Sequence, residues 1–333
     1  MTASIRFGVA LQGDKTPAEY AAHAELIDRY PFDVVSVYND LFFQPALGPL
    51  LLMAPHLKSA QLGPAALNPY LVHPVEIAGQ IALLDMVTNG RAYLGLARGS
   101  WLDSLGVAQP QPIQTLREAI QVVLRLLSGA SEPFDGQVFH LAAGSPLRYR
   151  VQRGSVPITI GTWGKRTAHL AGEVANEVKI GGSANPAMAS FLRPFISAGE
   201  QTAGRPAGVV DICLGAVTVV DLDRARARAL ARHEVALYAP VVASLDPSLA
   251  DADWLKRIAE PARRGDRAAV AALIPDAALD SLAFAGTPAD VIRQVEDLAR
   301  AGVSRVEFGT PHGVDPLDGI RLLGEQVLPS FVR

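Results

Sequence analysis

The chain has 333 residues, a length that suits either two ordinary domains or one large α/β barrel with insertions. Its 30 Lys and Arg residues nearly balance 33 Asp and Glu residues, and the net charge of −3 gives no overall attraction to nucleic acid or anionic lipid. We therefore expect neither nucleic acid nor membrane as a partner. With 49% hydrophobic residues the chain can bury a large core, which excludes general disorder.

Cysteine usage and the N-terminal residues predict a cytoplasmic protein. Cys213 is the single cysteine and stands in an apolar stretch, as expected of a small core residue in a reducing compartment. The first six residues lack a basic region followed by a long apolar run, and no segment offers about 18 uninterrupted apolar residues.

Apolar, β-rich runs alternate with segments of helical period along the whole chain, a pattern typical of repeated βα units around a parallel sheet. The predicted strands are Ile5 to Leu11, Asp33 to Val37, Gln61 to Ala66, Arg91 to Leu96, Pro157 to Ile160, Asn176 to Ile180, Val209 to Val220 and Ser304 to Phe308. Strands in this number and order predict a closed (β/α)8 TIM barrel, whose usual size is about 250 residues. The remaining length is then insertion.

Two helices carry clear start and stop signals. Pro74 suits a first helical position, and Asn89-Gly90 ends that segment. Thr287 followed by Pro288 and Asp290 predicts an N-cap with an acidic residue at the third position of the helix.

Two segments are the predicted insertions of a single domain spanning 1–333. The first, near 135–152, alternates apolar and polar residues around a Gly-Ser-Pro turn and is expected to be extended. The second, near 238–284, has helical period interrupted by prolines and predicts short helices over the barrel rim. Just before it, four arginines are interpreted as a solvated helix face: Arg224, Arg226, Arg228 and Arg232.

Several kinds of site can be excluded. No two glycines are separated by a single residue, so the dinucleotide-binding turn G-x-G-x-x-G is absent. Gly164-Lys165 lacks the upstream glycine of a phosphate-binding P-loop, and no G-x-S-x-G nucleophile elbow occurs. The seven histidines are too far apart in sequence for a zinc helix motif, and we expect no metal site.

The unusual residues fall where βα barrels place their reactive groups, in the loops after the predicted strands. Six loops carry them: Tyr38-Asn39-Asp40, Asn68-Pro69-Tyr70, Arg98-Gly99-Ser100-Trp101, Gly161-Thr162-Trp163-Gly164-Lys165-Arg166, Gly181-Gly182-Ser183 and Gly309-Thr310-Pro311-His312. Glycines, a helix start and two cations at Gly164-Lys165-Arg166 suit a phosphate, with Arg98 as a second anion contact. The alternative is a tight turn whose cations are merely solvated.

The other candidates also have two interpretations. Trp101 and Trp163 suit either rim packing or a flat wall for an aromatic cofactor. His312 suits either a structural histidine or a proton donor at the end of the last strand. Asp40 suits a base or an orienting acid, although an acid in such a loop is often only a turn residue.

A longer match points to a known family. The segments Leu62-Gly63-Pro64-Ala65-Ala66-Leu67-Asn68-Pro69-Tyr70 and Asn89-Gly90-Arg91-Ala92-Tyr93-Leu94-Gly95-Leu96, with His73-Pro74 and Leu84-Asp85 between them, resemble the bacterial luciferase-like superfamily. The likeness is closer to its coenzyme F420-dependent branch, which includes methylenetetrahydromethanopterin reductase. It extends through Gly286-Thr287-Pro288 and Ala301-Gly302-Val303 and so covers most of the chain.

The resemblance implies a TIM-like barrel with a reduced deazaflavin or flavin lying across the strand ends. It implies a non-proline cis peptide bond at Ala65-Ala66 behind the ring. It places the cofactor phosphate on two sets of residues: Arg98, Gly99 and Ser100, and Thr162, Trp163 and Gly164. This agrees with the anion site that Lys165 was predicted to support. The resemblance also implies a homodimer.

Two positions depart from the family. Deazaflavin enzymes commonly have Asp-His after the second strand, where this chain has Asn39-Asp40, and the reductase has a glutamate at the position of Ala10. The departures indicate that the reductase's own reaction does not transfer directly to this chain.

The leading hypothesis is therefore an F420-dependent oxidoreductase that moves a hydride between the deazaflavin and a small organic substrate with a C=C, C=N or C=O bond. Asn39, Asp40 and Asn68 would orient polar groups of the ring or substrate, and His312 would donate a proton. One alternative is an FMN-dependent luciferase-like monooxygenase. Another is a non-catalytic cofactor-binding barrel or partner subunit, which the departures at Ala10 and Asn39 favour.

Overall fold

The computed structural model describes residues 5–250 and 252–331. Its strands, in chain order, are β1 (Arg6–Leu11), β2 (Val34–Val37), β3 (Gln61–Pro64), β4 (Leu94–Ala97), β5 (Phe134–Asp135), β6 (His140–Leu141), β7 (Ile158–Gly161), β8 (Glu177–Gly181), β9 (Asp211–Val220), β10 (Ala283–Gly286) and β11 (Arg305–Gly313). Each of the eight predicted strands overlaps one of these, so the periodicity located the sheet correctly.

The strands form a parallel barrel. Their order in the main sheet is β3-β2-β1-β11-β9-β8-β7-β4. Parallel bridges from Leu62 to Ala92 and from Leu67 to Leu96 connect the β3 and β4 ends of this sheet. Eight parallel strands closed in this way confirm the predicted (β/α)8 architecture. β10 is an additional short strand that pairs with β9, and the sequence analysis did not predict it.

Helices alternate with the strands. They are α1 (Pro17–Ile27), α2 (Leu47–Met53), α3 (Pro74–Val87), α4 (Pro112–Ser128), α5 (Lys165–Val174), α6 (Pro186–Thr202), α7 (Arg224–Val235), α8 (Ala239–Leu245), α9 (Asp253–Arg263), α10 (Arg267–Leu273), α11 (Asp276–Leu282), α12 (Pro288–Arg300) and α13 (Pro316–Leu322). None of the helices in the described ranges is long and apolar enough to cross a membrane.

The predicted helix signals are confirmed. Pro74 begins α3, and the imidazole of His73 accepts a hydrogen bond from the backbone N–H of Val75. Thr287 caps α12 in a reciprocal arrangement, in which the Thr287 hydroxyl accepts from the Asp290 N–H and the Asp290 carboxylate accepts from the Thr287 N–H. Two orphan donors of the helix start are thereby satisfied.

Side chains that point outward from the barrel strands are apolar, whereas several that point into the barrel are polar. Outward-facing side chains of the strands, such as Val9, Leu96 and Ile160, are fully buried in the main apolar cluster with the surrounding helices. On the inside, several strand positions are glycines, and a Cβ at Gly8 would lie 2.7 Å from the guanidinium of Arg305. The missing side chains leave room for large polar groups within the barrel.

The segments interpreted as insertions contain short elements. Between α4 and β7, the strands β5 and β6 pair as a small antiparallel hairpin and the chain then continues in turns. The second segment contains α8, α9, α10 and α11, which are the short helices that its prolines predicted.

The solvated interpretation of the arginines in α7 is wrong for Arg228. Its side chain is only 6% exposed and forms ion pairs with Asp276 and Asp280. It joins α7 to α11, because a buried guanidinium needs partners for its charge.

Candidate active site

A cleft of about 430 Å³ opens where the barrel strands end. Its wall includes residues that follow or end β1, β2, β3, β4, β7 and β8, together with positions in β9 and β11. Tyr238, Val241 and Val242 in and before α8 cover one side of it. The second insertion therefore forms part of the cleft wall and does not only cover the barrel rim.

A cis peptide bond forms part of this wall. The bond between Ala65 and Ala66 is cis, which confirms the prediction. Hydrogen bonds hold the backbone on both sides of it, from Ala65 N to Val37 O at 2.8 Å and from Leu67 N to Gly95 O at 3.0 Å. Both alanines line the cleft, so this part of the wall carries only methyl side chains.

Asn68 supports the same corner. It lines the cleft, but its Oδ1 atom accepts hydrogen bonds from the backbone N–H groups of Tyr70 and Leu71 at 3.2 and 3.0 Å. Gly99 packs directly against it, since a Cβ there would lie 3.0 Å from Cγ of Asn68. Only the amide nitrogen of Asn68 remains available to orient a ligand.

The loop after β4 contributes backbone rather than charge. Gly99 and Ser100 line the cleft, whereas the exposed Arg98 does not. Gln109 holds the loop, because its amide nitrogen donates to the carbonyls of Arg98 and Gly99 and its oxygen accepts from Arg98 Nε. Of the three residues predicted here, two lie in the cleft wall.

The loop after β7 is fixed in a similar way. Thr162 and Trp163 line the cleft, and the indole N–H of Trp163 donates to the carbonyl of Gly181 at 2.8 Å. Gly164 caps α5 without a side-chain hydrogen bond to the helix start. Lys165 lies outside the wall, with its Nζ atom 5.3 Å from the ring centre of Phe191. The helix start and its cation thus lie beside the cleft rather than within it.

Asn39 and Asp40 both line the cleft after β2. The Oδ1 atom of Asn39 accepts from the backbone N–H of Ala46 at 3.0 Å, and Asp40 Oδ2 accepts from Gln12 Nε2 at 3.3 Å. Burial raises the pKa of the Asp40 carboxyl, although the hydrogen bond from Gln12 and the charge of Lys179 act in the opposite direction.

His312 is not in the cleft wall, unlike its neighbours Thr310 and Pro311. Its side chain is fully buried, and its Nε2 atom contacts the carbonyl of Ala10 at 3.1 Å. Burial lowers the pKa of His312 to about 3, so the ring is neutral. Because the ring has no contact with the cleft, we do not assign proton donation to His312.

A buried chain of charges beneath the cleft was missed by the sequence analysis. Glu307 is fully buried and forms ion pairs with Lys179 and with Arg305, at 2.8 Å to the latter. Ser36 Oγ donates to the same carboxylate at 2.6 Å, and Arg305 also pairs with Glu177 at 2.6 Å. Burial would raise the pKa of Glu307, but the two cations and the hydrogen bonds outweigh it and lower the pKa to about 2.

The signal for this chain of charges was present in the sequence. Glu177 and Lys179 are separated by one residue in β8, and Arg305 and Glu307 are separated by one residue in β11. Side chains two apart in a strand face the same side. Polar residues at alternate positions of otherwise apolar strands therefore indicated a polar barrel interior. Among residues 5–250 and 252–331, no group of three or more His, Cys, Asp or Glu is arranged to hold a metal ion.

The barrel and its strand-end cleft define a class of (β/α)8 proteins, and comparison with known proteins identifies the family. The family described as Luciferase-like monooxygenase matches residues 1–305, so the chain belongs to the luciferase-like monooxygenase family.

Relatives match along the whole chain. The 5,10-methylenetetrahydromethanopterin reductase of Archaeoglobus fulgidus is 30% identical, covering 98% of this chain and 100% of the relative. The F420-dependent glucose-6-phosphate dehydrogenase of Nakamurella multipartita is 26% identical, covering 98% of this chain and 96% of the relative. The structure of the coenzyme F420-dependent tetrahydromethanopterin reductase from Methanopyrus kandleri superimposes with a TM-score of 0.90 at 26% identity, over 99% of this chain and 100% of that one. The predicted family and fold are confirmed, and these relatives agree with the prediction of an F420-dependent oxidoreductase.

Proposed function

We propose that this chain is a coenzyme F420-dependent oxidoreductase that reduces or oxidises a small organic molecule in the strand-end cleft. The observation that carries the proposal is the cleft of about 430 Å³ at the strand ends, which has room for a tricyclic ring against the small side chains of Ala65 and Ala66. End-to-end similarity to F420-dependent relatives supports the same cofactor. When bound, the deazaflavin supplies hydride chemistry.

The residues present fit such a cofactor. Gly161 and Gly181 end neighbouring strands in the cleft wall, and a Cβ at Gly181 would meet no atom within 4 Å. The space that a side chain would fill is therefore open to a planar ligand. The start of α5 lies beside the cleft and has no side-chain hydrogen bond to its first N–H groups, so these groups and Lys165 are available to a phosphate at the cleft edge.

The chain's own residues then have separate tasks. The backbone at Ala65 and Ala66 supports the ring from behind, and the loops carrying Gly99 and Thr162 border the route of its tail. Trp163 is held by its hydrogen bond to Gly181, so it provides a wall that needs no ordering on binding. The covering residues of α8 exclude water from the reacting atoms.

Binding measurements test the proposal. Titration of the protein with oxidised F420, followed by deazaflavin fluorescence, is expected to give a dissociation constant of about 1 μM or tighter. FMN, titrated in parallel, is expected to bind at least about tenfold more weakly. Absence of F420 binding would contradict the proposal, and a reversed preference would favour the flavin monooxygenase. Binding of F420 without turnover of any aldehyde, ketone, imine or activated alkene would favour the non-catalytic barrel.

A matched pair of glycine variants locates the bound cofactor. Gly181→Leu is expected to weaken F420 binding by at least about tenfold, because its side chain would occupy the cleft. Gly154→Leu, at an exposed glycine in the segment before β7 whose Cβ would lie 3.7 Å from Cα of Ser128, is expected to leave the affinity unchanged. Equal affinities for the two variants would place the cofactor elsewhere.

We also propose that the protein forms a homodimer through α2 and α3. Both helices pack together and carry large apolar side chains that are about two-fifths exposed, namely Leu52, Leu83, Met86 and Val87. A helix that is apolar all round needs a partner on its outer side. Leu83→Glu is therefore expected to halve the mass measured by light scattering, whereas Leu222→Glu, at a more exposed leucine outside these helices, should not change it. A monomeric wild-type protein would contradict the proposal.

A further inference from the structure

Two side chains with hydrogen-bond donors lie next to each other in the cleft wall. Lys179 and Tyr38 both line it, and the Nζ atom of Lys179 lies 5.1 Å from the centre of the Tyr38 ring. They come from β8 and from the residue after β2, which lie on opposite sides of the barrel. Tyr38 stands in one of the loops that the sequence singles out, but no role was predicted for it, and Lys179 was not predicted at all.

Both donors have unused capacity. An ammonium group carries three N–H donors, and within the described ranges Lys179 uses one of them, on Glu307. The Tyr38 hydroxyl makes no hydrogen bond to any described residue. It stands over β11, where a Cβ at Gly309 would lie 2.4 Å from the Tyr38 oxygen. Glycine at that position therefore leaves room for the Tyr38 hydroxyl, which a larger residue would displace.

The barrel interior fixes the ammonium in place. Glu307 forms an ion pair with Lys179 beneath the cleft. The same carboxylate accepts hydrogen bonds from Arg305 and Ser36. Arg305 also pairs with Glu177, so the two cations of this group are matched by two carboxylates and Lys179 need not move to find a counter-ion. Burial raises the pKa of Tyr38 well above its usual value, with the charges of Glu307 and Asp40 adding to it, so the phenol keeps its proton.

We propose that Lys179 and Tyr38 bind the oxygen of a carbonyl substrate and that Tyr38 gives it a proton during reduction. The inference rests on the proposed function and names the substrate class, an aldehyde or ketone. As hydride adds to the carbonyl carbon, the C=O π pair moves to oxygen. The Tyr38 O–H bond breaks, its proton forms the alcohol O–H bond, and the resulting phenolate regains a proton from water.

The alternative substrate class fits these donors poorly. A cationic iminium carbon accepts hydride without needing a proton, and its nitrogen has no lone pair to accept a hydrogen bond from Lys179 or Tyr38. A carbonyl oxygen, in contrast, gains negative charge in the transition state, where a preorganised cation and hydroxyl stabilise it most. Lys179 is thus placed to act electrostatically and Tyr38 as the general acid.

A phenol that mimics the developing oxyanion tests the donors without turnover. ¹⁹F NMR follows the ionisation of 4-fluorophenol bound to the protein with oxidised F420. We expect its pKa to fall by at least about one unit in the wild-type complex, and this shift to disappear in Tyr38→Phe and Lys179→Met. Tyr30→Phe is the control, because that hydroxyl contacts Glu325 at the surface. If Lys179→Met does not fold, Lys179→Met combined with Glu307→Gln removes both charges together.

The same experiment distinguishes failure of the proposed function from failure of the proposed roles of Lys179 and Tyr38. F420 affinity, measured in the same samples, is expected to stay within about threefold in every variant. If F420 does not bind the wild-type protein, the proposed function fails and this inference with it. If F420 binds but the phenol does not bind, binds without preference for its anion, or binds all variants equally, only this inference is overturned.

Turnover gives the second measurement. With the carbonyl compound that the wild-type enzyme reduces fastest, Tyr38→Phe should lower kcat by about 100-fold or more and change KM by less than about threefold. Reduction of iminium ions but of no carbonyl compound would overturn the inference, as would an unchanged kcat.

Discussion

Glu307→Leu is expected to lower the free energy of unfolding by about 3–5 kcal/mol, because it leaves two buried cations without their shared carboxylate. Lys179 and Arg305 are 10% and 1% exposed and both pair with Glu307. Urea denaturation followed by circular dichroism measures the change. Glu325→Leu removes a surface carboxylate that accepts from Tyr30 and is expected to change stability by less than about 0.5 kcal/mol.

The stability that Glu307 contributes is expected to decrease at acidic pH. The pKa of Glu307 is lowered from 4.5 to about 2 in the folded protein, so its stabilising effect is complete above pH 4.5 and is lost as the pH falls toward 2. The stability difference between the wild-type protein and Glu307→Gln should therefore shrink across that interval. A difference that stays constant from pH 6 to pH 2.5 would show that the ion pairs do not stabilise the barrel.

Gly95→Ala is expected to disturb both the fold and cofactor binding. A Cβ at Gly95 would lie 2.0 Å from the carbonyl oxygen of Pro64, which precedes the cis bond, so the β3 and β4 backbones must separate. Overpacking of this kind costs about 1–3 kcal/mol of stability. Because Gly95 O also accepts from Leu67 N, the cleft wall moves with it, and F420 affinity should fall at least about tenfold.

Gly48→Ala is the matched control for that variant. No atom lies within 4 Å of its Cβ position, and the residue is in α2. Alanine there should leave F420 affinity unchanged and keep or slightly raise stability, since glycine costs about 0.5–1 kcal/mol in a helix. If Gly95→Ala behaves like Gly48→Ala in both assays, the close approach of the two strands is not what shapes the cleft.

The barrel could be predicted because its strands are short apolar runs between strong turn and cap signals, such as Asn89-Gly90 and Thr287-Pro288. The predicted strands were incomplete where a turn signal is missing or where turn residues lie within a strand. β10 follows directly on α11 without a turn residue between them, so the helical period of this segment does not predict a strand there. β11 extends to Gly313 through a bulge between Gly309 and His312, although Gly and Pro at its end favour a loop.

The candidate site also has residues that could be predicted from the sequence and residues that could not. Residues that line the cleft with backbone or small side chains, such as Ala65, Gly99 and Thr162, could be predicted from loop position and from the family likeness. The position of His312 could not, because loop order does not reveal which way a side chain points after a bulge. The proximity of Lys179 and Tyr38 could not be predicted from the sequence, since only closure of the sheet brings β8 opposite β2.

A crystal structure of the protein soaked with F420 would show directly where the cofactor binds. We expect the deazaflavin ring in van der Waals contact with Ala65 and Ala66, its phosphate beside the loops of Ser100 and Thr162, and one edge of the cleft left open toward Lys179 and Tyr38. A ring bound elsewhere on the protein, or a cleft that holds only solvent at saturating F420, would contradict this expectation.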